Sequence, residues 1–391
     1  MKKNVSQWKL AVAILGLSIS TFGTGSAVSA GLGVIAHAFP EAKEIYIQML
    51  VSLPAIALVP ASLYAGLLAS RVGKKKMAIF GTAIYLVGGV GAGFANTIEG
   101  MLLFRLIIGV GAGILLPLPL SLIADFYSGK QRAKLTGYTT GVASLGGVLM
   151  TVGAGWLAGI HWRLVYAVYL VMLPVLMMSL FWLEAPVKKP EKVVFHYNRD
   201  VAIVGWYLFS ITIVLFSLPL FMAMHLEQLA LGGSVAASVV LIMPNLAGIL
   251  IGGQFVRIKS YFKLQTGPLG LLFLSLGFFL MSTGMSVWLI ALGALSFGVG
   301  IGVINPINYL RLVNAVQKED APFGVAIVNA LMSFGQFVAP LFYSLLRGLS
   351  LVDTISSIYF FNAMLVLFLA VYFGIRRRFF TSPSHLDKEV R

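Results

Sequence analysis

The 391-residue sequence contains no cysteine, so neither a disulfide framework nor a thiolate metal site can form in it. That absence leaves the redox compartment undetermined. The sequence also has no His-Glu-x-x-His zinc motif, and its five histidines are scattered. It has no Gly-x-x-x-x-Gly-Lys-Ser/Thr phosphate loop, so nothing in it indicates ATP hydrolysis. We therefore expect no metal and no cofactor.

Charge is scarce as well. Only 10% of the residues are charged and 59% are hydrophobic, whereas a soluble domain carries about 25% charged residues. The formal net charge of +15 falls in short clusters between apolar runs, which argues against a nucleic-acid partner. The composition predicts an all-α polytopic membrane protein that lies in a lipid bilayer.

The apolar runs divide into twelve predicted spans at about 20 residues each. The segment from Lys2 to Ala30 looks like a signal peptide with a cleavage site. The apolar stretch continues to about Ala36, however, so we expect a retained first span. The predicted spans cover residues 9–36, 45–69, 77–95, 101–125, 135–158, 162–183, 201–224, 235–255, 264–283, 287–310, 323–346 and 354–375.

Lysine and arginine concentrate in the loops on one side of the predicted membrane. By the positive-inside rule, this side is cytoplasmic, and both termini lie there. The other side holds only Lys43, Arg163 and Arg347. The cytoplasmic loops hold Arg71, Lys74, Lys75, Lys76, Lys130, Arg132, Lys134, Arg257, Lys259, Lys263, Arg311 and Lys318, and the tail adds Arg376, Arg377 and Arg378.

A polar linker at 185–200 divides the chain into an N-terminal half, 1–184, and a C-terminal half, 201–376, each with six spans. A cytoplasmic tail follows at 377–391. The halves repeat, because Gly109–Pro117 aligns with Gly298–Pro306, and Ser144–Gly147 aligns with Ser333–Gln336 at the same offset. Paired halves of this kind predict an alternating-access carrier with its site near the midplane.

The loop Gly66-Leu-Leu-Ala-Ser-Arg-Val-Gly-Lys-Lys-Lys76 resembles a signature of the major facilitator superfamily, Gly-x-Leu-x-Asp-Arg-x-Gly followed by basic residues. Ser70 stands where that family usually has Asp. Leu102–Gly109 resembles the fourth-span motif, Asp125–Gly137 the loop that follows it, and Trp162-Arg163 a signature of drug-antiporter-like members. The resemblance covers nearly the whole chain and implies the twelve-helix fold in two pseudo-symmetric halves. We expect a monomer.

Arg105 lies inside the fourth predicted span, where an arginine costs about 2.5–3.5 kcal/mol on insertion scales. The resemblance implies a role in substrate binding or proton coupling. The alternative is a residue that snorkels or pairs structurally.

The resemblance also implies that Asp125 pairs with Arg71 and latches a cytoplasmic gate. That gate comprises Gly66, Arg71, Gly73, Lys74, Asp125 and Arg132. The alternative for Asp125 is a solvated carboxylate at a helix end.

Five amides at membrane depth are candidates for substrate binding, because an amide can hydrogen-bond a ligand without carrying charge. The alternative for each is a hydrogen bond between helices, which suits Asn362 better. The candidates are Asn245, Asn305, Asn308, Asn329 and Gln336.

The N-terminal motifs most resemble bacterial efflux members. This resemblance implies secondary export of a small organic or drug-like molecule across the cytoplasmic membrane, and no enzyme activity. The fifth span lacks the Gly-Pro of proton antiporters and the first span lacks an acid, so proton coupling and uncoupled facilitation both stay open. If protons are coupled, we expect Asp125 to carry them, with Arg105 as countercharge. The alternatives are an uptake symporter or facilitator, and a membrane enzyme or sensor.

Overall fold

The computed structural model describes residues 6–184, 199–314 and 321–375. Within these ranges the chain is almost entirely helical and forms no β-strand. The predicted tail, residues 185–198 of the predicted linker, Lys318 and the three tail arginines lie outside the described residues. The helices are α1 (Gln7–Leu17), α2 (Ser20–Ala38), α3 (Glu44–Ser52), α4 (Pro54–Val72), α5 (Lys74–Gly91), α6 (Ile98–Leu115), α7 (Leu118–Phe126), α8 (Gly129–Ala158), α9 (Met172–Phe181), α10 (Arg199–Leu215), α11 (Ser217–Gln228), α12 (Gly233–Gly253), α13 (Phe255–Phe262), α14 (Thr266–Thr283), α15 (Val287–Asn314), α16 (Ala321–Gly348) and α17 (Ile355–Ile375).

The described ranges contain eleven stretches that are long and apolar enough to cross a membrane. The first predicted span is not among these eleven, because it is divided into α1 and α2 by a break at Ser18 and Ile19. With it the number of spans is twelve. Breaks also divide the second, fourth and seventh spans, and a 3₁₀ segment at Trp162–Val171 precedes α9 in the sixth. The predicted all-α fold of twelve spans is confirmed. One element was not predicted: α13 occupies the expected loop between the eighth and ninth spans.

The internal repeat is also present in the packing. A Cβ on Gly109 of α6 would meet Pro54 and Ala57 of α4, and a Cβ on Gly298 of α15 would meet Pro244 and Ala247 of α12. The same repeat holds at Gly111 and Gly300, which approach the backbones of α5 and α14. Glycine permits these contacts because helices with small residues can approach backbone to backbone. The predicted glycine alignment therefore marks equivalent helix crossings in the two halves.

The halves meet through few helices. In the described structure α2 packs on α11 and α12, α8 packs on α12, and α3 and α4 pack on α16. The basic loops lie at one end of the bundle, which we call the basic end; it carries Lys74, Lys130 and Lys259. The other end, which carries Glu44 and Arg347, is called the opposite end. The contacts between the halves differ sharply between these two ends.

Candidate functional site

Arg105 of α6 lies at the centre of the N-terminal half and is fully buried. Its Nε donates to the Leu50 carbonyl at 2.5 Å, and its Nη1 donates to the Tyr169 hydroxyl at 2.9 Å. Its Nη2 donates to the carbonyl of Thr24, which also accepts from the Tyr169 hydroxyl at 3.0 Å. One guanidinium thus joins the first, second, fourth and sixth spans through three uncharged acceptors.

The Leu50 carbonyl is available to Arg105 for a reason that is visible in the sequence. In an α-helix this carbonyl would accept from the N–H of residue 54, but residue 54 is proline and has no N–H. The chain breaks there, between α3 and α4. A buried carbonyl without a donor costs about 1–3 kcal/mol. Arg105 supplies the missing donor.

Tyr169 is held against α5 by close packing. A Cβ on Gly89 would lie 2.5 Å from the Tyr169 ring, and the ring makes an edge-to-face contact with Tyr85 at 5.9 Å. Tyr169 is itself buried. Its place beside Arg105 was not predicted, and the only signal in the sequence was its proximity to Trp162-Arg163.

The predicted amides divide into two groups. Asn245, Asn305 and Asn329 are exposed and Gln336 is half-buried. Lipid cannot satisfy an exposed amide, so these side chains suit a face that water or a ligand reaches. Asn308 is only 4% exposed, and neither of its amide atoms has a hydrogen-bond partner among the described residues.

Asn362 has the structural role that was expected of it. It accepts from the Tyr343 hydroxyl at 3.0 Å and donates to the Ser217 hydroxyl at 2.9 Å. All three residues are buried. These bonds join the seventh, eleventh and twelfth spans within the C-terminal half.

The opposite end is closed by polar contacts between the halves. Arg347 of α16 donates to Glu44 of α3. Gln48 Nε2 donates to the other carboxylate oxygen of Glu44 at 2.7 Å. A second pair joins His37 at the end of α2 to Glu227 of α11 at 3.2 Å. Neither of the two pairs between the halves was predicted, because their partners lie far apart in the chain.

A small cavity of about 50 Å³ adjoins the pair of Glu44 and Arg347. It has room for water, but drug-sized ligands occupy pockets of about 300–1,000 Å³. This cavity is therefore too small for a drug-sized ligand. The cavity is lined by Glu44, Ile45, Gln48, Phe221, Tyr343, Ser344 and Arg347.

The α8–α12 crossing shows where the halves separate. At the opposite end, the Ser234 hydroxyl donates to the Gly155 carbonyl at 2.9 Å, and a Cβ on Gly155 would meet Ser238. Gly141 lies fourteen residues before Gly155 in α8, and Gly252 lies fourteen residues after Ser238 in α12, both toward the basic end. A Cβ on either glycine would meet nothing within 4 Å. Fourteen residues of helix span about 21 Å. The two helices therefore form a wedge that is closed at the opposite end and open at the basic end.

Asn245 belongs to this wedge. It follows Ser238 by seven residues in α12, which places both on one face of the helix. Ser238 touches the other half, and Asn245 is exposed two turns further toward the basic end. An uncharged hydrogen-bonding side chain therefore lies on the wall where the halves have separated.

The predicted pair of Asp125 with Arg71 is replaced in this conformation by a pair of Asp125 with Lys74, at 2.5 Å. Gly73 adopts φ +88° and is the single residue between α4 and α5. This turn places Lys74, which is buried, beside α7. Arg71 is exposed. Because Lys74 and Asp125 belong to the same half, their ion pair does not hold the two halves together.

The other predicted gate residues also lie at the basic end. Gly66 lies within α4, and Arg132 is exposed in the first turn of α8. Between α7 and α8, the Tyr127 hydroxyl donates to the Gln7 carbonyl at 3.0 Å, and burial raises the pKa of Tyr127. In the described part of the chain, no three His, Asp or Glu side chains converge to hold a metal ion.

A profile of the Major Facilitator Superfamily matches residues 10–340. The chain is 31% identical over 107 residues to the multidrug transporter protein MdtP of Bacillus subtilis (strain 168), which covers 27% of this chain and 20% of that protein. It is 30% identical over 146 residues to the multidrug resistance protein MdtL of Escherichia coli (strain K12 / DH10B), 37% of each chain. These matches cover well under two thirds of either relative.

Among solved structures, the nucleoside transporter NupG superposes with a TM-score of 0.77. The sequence identity is 14%, and the match covers 94% of this chain and 99% of the NupG chain. At that identity the likeness shows a common fold.

Proposed function

Because the chain belongs to the major facilitator superfamily, we propose that it exports small organic or drug-like molecules across the cytoplasmic membrane by alternating access. The observation that carries the proposal is the wedge between α8 and α12, which is closed at one end and open at the other. A carrier whose halves rock about a central site has this shape at one extreme of its cycle. The printed names of MdtP and MdtL support export of drug-like compounds.

The two halves, 1–184 and 201–376, are the moving parts of the proposed cycle, and residues 185–200 connect them. The charge asymmetry of the loops supports a cytoplasmic location for the basic end and both termini. The structure then corresponds to an inward-facing state, from which a cytoplasmic molecule can enter. The chain acts as a monomer, because each chain contains both halves.

The proposed binding surface is the amide-bearing wall of the C-terminal half. Asn245, Asn305 and Asn329 are exposed, and Gln336 is half-buried. Amides can donate and accept hydrogen bonds, so this wall suits neutral or amphipathic substrates. Arg105 is buried within the N-terminal half, which faces this wall, and it positions the first and second spans through Thr24 and Leu50.

Two gates alternate in the proposed cycle. Glu44–Arg347 and His37–Glu227 hold the side away from the cytoplasm closed in this state. At the cytoplasmic side Arg71 and Arg132 are exposed and become available to the C-terminal half when the wedge closes. If transport is coupled to protons, Asp125 remains the proposed carrier, with Lys74 in place of Arg71 as the partner that must release it.

The test uses proteoliposomes and an efflux-deficient host with a panel of uncharged and amphipathic compounds. Asn245→Ala should raise the KM for transport, because it removes a hydrogen bond to the substrate, and should leave the protein monodisperse. Asn96→Ala is the matched control, since Asn96 accepts from Arg163 in a loop at the opposite end. An equal change in KM in the two variants would contradict substrate binding at the amide-bearing wall.

Vectorial flux distinguishes the proposal from its alternatives. Export driven by an imposed pH gradient supports a proton-coupled exporter. Equilibration without accumulation would establish a facilitator, and accumulation toward the cytoplasm would establish uptake. Chemical turnover of a compound without flux would establish a membrane enzyme.

A further inference from the structure

The unpredicted helix α13, Phe255–Phe262, is not needed to cross the membrane. The ninth span is supplied by α14, whose 18 residues reach about 27 Å, close to the thickness of the hydrocarbon core. Lys263, with φ +48°, separates α13 from α14, and Gln254 separates it from α12. The helix therefore lies at the lipid–water boundary of the basic end.

The N-terminal half has no helix at the equivalent place. There α4 ends at Val72 and α5 begins at Lys74, with Gly73 alone between them. In the C-terminal half, the chain from Gln254 to Gln265 adds a full helix and a short turn. A tight connection between the spans is thus possible in this fold, and α13 is an addition to it.

Phe255 is the buried residue of α13 in the described structure. It packs with Val303 and Ile307 of α15. Farther along the helix Val256 and Tyr261 are each 80% exposed, and Phe262 is 49% exposed. Such large apolar side chains gain free energy only if a partner removes them from water.

Cations lie among these apolar side chains. Arg257, Lys259 and Lys263 are all exposed, and residues 253–265 contain no aspartate or glutamate. A helix that combines exposed apolar and basic side chains at a membrane boundary has the chemistry of an interfacial helix. At 100° per residue Tyr261 and Phe262 lie on one side of α13, with Arg257 and Lys259 flanking them. The two aromatic side chains can therefore enter the boundary with the acyl chains while the cations reach the phosphates.

We propose that α13 is an interfacial helix that, with the turn after it, binds the headgroups of anionic phospholipids through Arg257, Lys259 and Lys263, with Tyr261 and Phe262 seated in the lipid. The inference rests on the basic end lying at a membrane surface, as in the proposed function, and is independent of substrate or direction of transport. Each lysine or arginine near an anionic surface strengthens the interaction by about fivefold. One cation is therefore enough for a several-fold preference for anionic over zwitterionic lipid, and removal of all three should abolish the preference.

The test uses the absence of cysteine, because Tyr261→Cys introduces the sole thiol of the chain. A fluorescent probe on that thiol, in nanodiscs with one protein each, is quenched by nitroxide-labelled phosphatidylglycerol or phosphatidylcholine. We expect a several-fold higher relative binding constant for phosphatidylglycerol, which falls to about one in the variant Arg257→Gln/Lys259→Gln/Lys263→Gln. The control Lys130→Gln/Lys134→Gln removes exposed charge elsewhere on the same end and should keep the preference.

Four outcomes would overturn the proposal. Quenching by aqueous iodide but not by lipid would place α13 in water. Equal binding constants for the two lipids would leave only apolar contact. Equal losses of the preference for phosphatidylglycerol in the two charge variants would show that diffuse surface charge causes it. Lipid quenching that changes when discs hold two proteins instead of one would show that a second chain covers the helix. Because the readout does not involve transport, a failed export assay leaves this result unaffected.

Discussion

Arg105 and Pro54 should be coupled energetically. Arg105→Ala removes the donor that stands in for the missing N–H at the Leu50 carbonyl, and a buried carbonyl without a donor costs about 1–3 kcal/mol. In a Pro54→Ala background, residue 54 regains an N–H, which can bond to this carbonyl within a continuous helix. Arg105→Ala should therefore destabilise that background by about 1–3 kcal/mol less than it destabilises the native chain.

The measurement is a double-mutant cycle by reversible denaturation in mixed micelles. Independent sites add to within about 0.3–0.5 kcal/mol, so a coupling energy smaller than this would refute the account of Leu50. Arg105→Lys provides a second comparison. Lysine keeps the charge but loses the planar fork that reaches three acceptors on different helices, so transport should fall below the native rate. Normal transport by Arg105→Ala would show that the residue is purely structural.

Three further predictions concern the ends of the bundle, and each is followed by labelling a single cysteine introduced at the opposite end. Glu44→Gln and Arg347→Gln should each favour opening of the opposite end by about 1.4- to fivefold, since partly exposed pairs contribute about 0.2–1 kcal/mol; unchanged labelling would contradict a role of this pair in closing that end. Gly155→Ala should open the same end, because its Cβ would lie 2.7 Å from a backbone carbonyl of α12, whereas Gly141→Ala, in open space, should not; similar labelling of the two would contradict the wedge. Asp125→Asn should lower stability and leave labelling unchanged, because its ion pair lies within one half; increased labelling would show that it acts between the halves.

The fold could be predicted because membrane insertion constrains sequence strongly. Apolar runs of span length and a basic bias in alternate loops are required for a polytopic helical chain. The glycine alignment could also be predicted, since Gly109 and Gly298 occupy equivalent helix crossings. These signals are local, or repeat at a fixed offset, and both kinds can be read from one sequence.

The site was less predictable because its contacts join distant segments. The pair of Glu44 with Arg347 spans 303 positions of the chain, and no local pattern links the two. Asp125 pairs with Lys74 because of one glycine turn, a detail that a motif with several neighbouring cations does not resolve. The helix α13 was missed because FVRIKSYF is short and its apolar residues are interrupted by charge.

The glycine crossings have a consequence for how the substrate range of such a chain can change. The positions that set the helix spacing, such as Gly109 and Gly298, tolerate no side chain without displacing a backbone. The side chains of Asn245 and Asn305 are exposed and contribute little to helix packing. Substitutions on the wall can therefore accumulate without loss of the frame. Under the proposed function, recognition of the substrate can change one residue at a time, while the crossings that fix the architecture stay as they are.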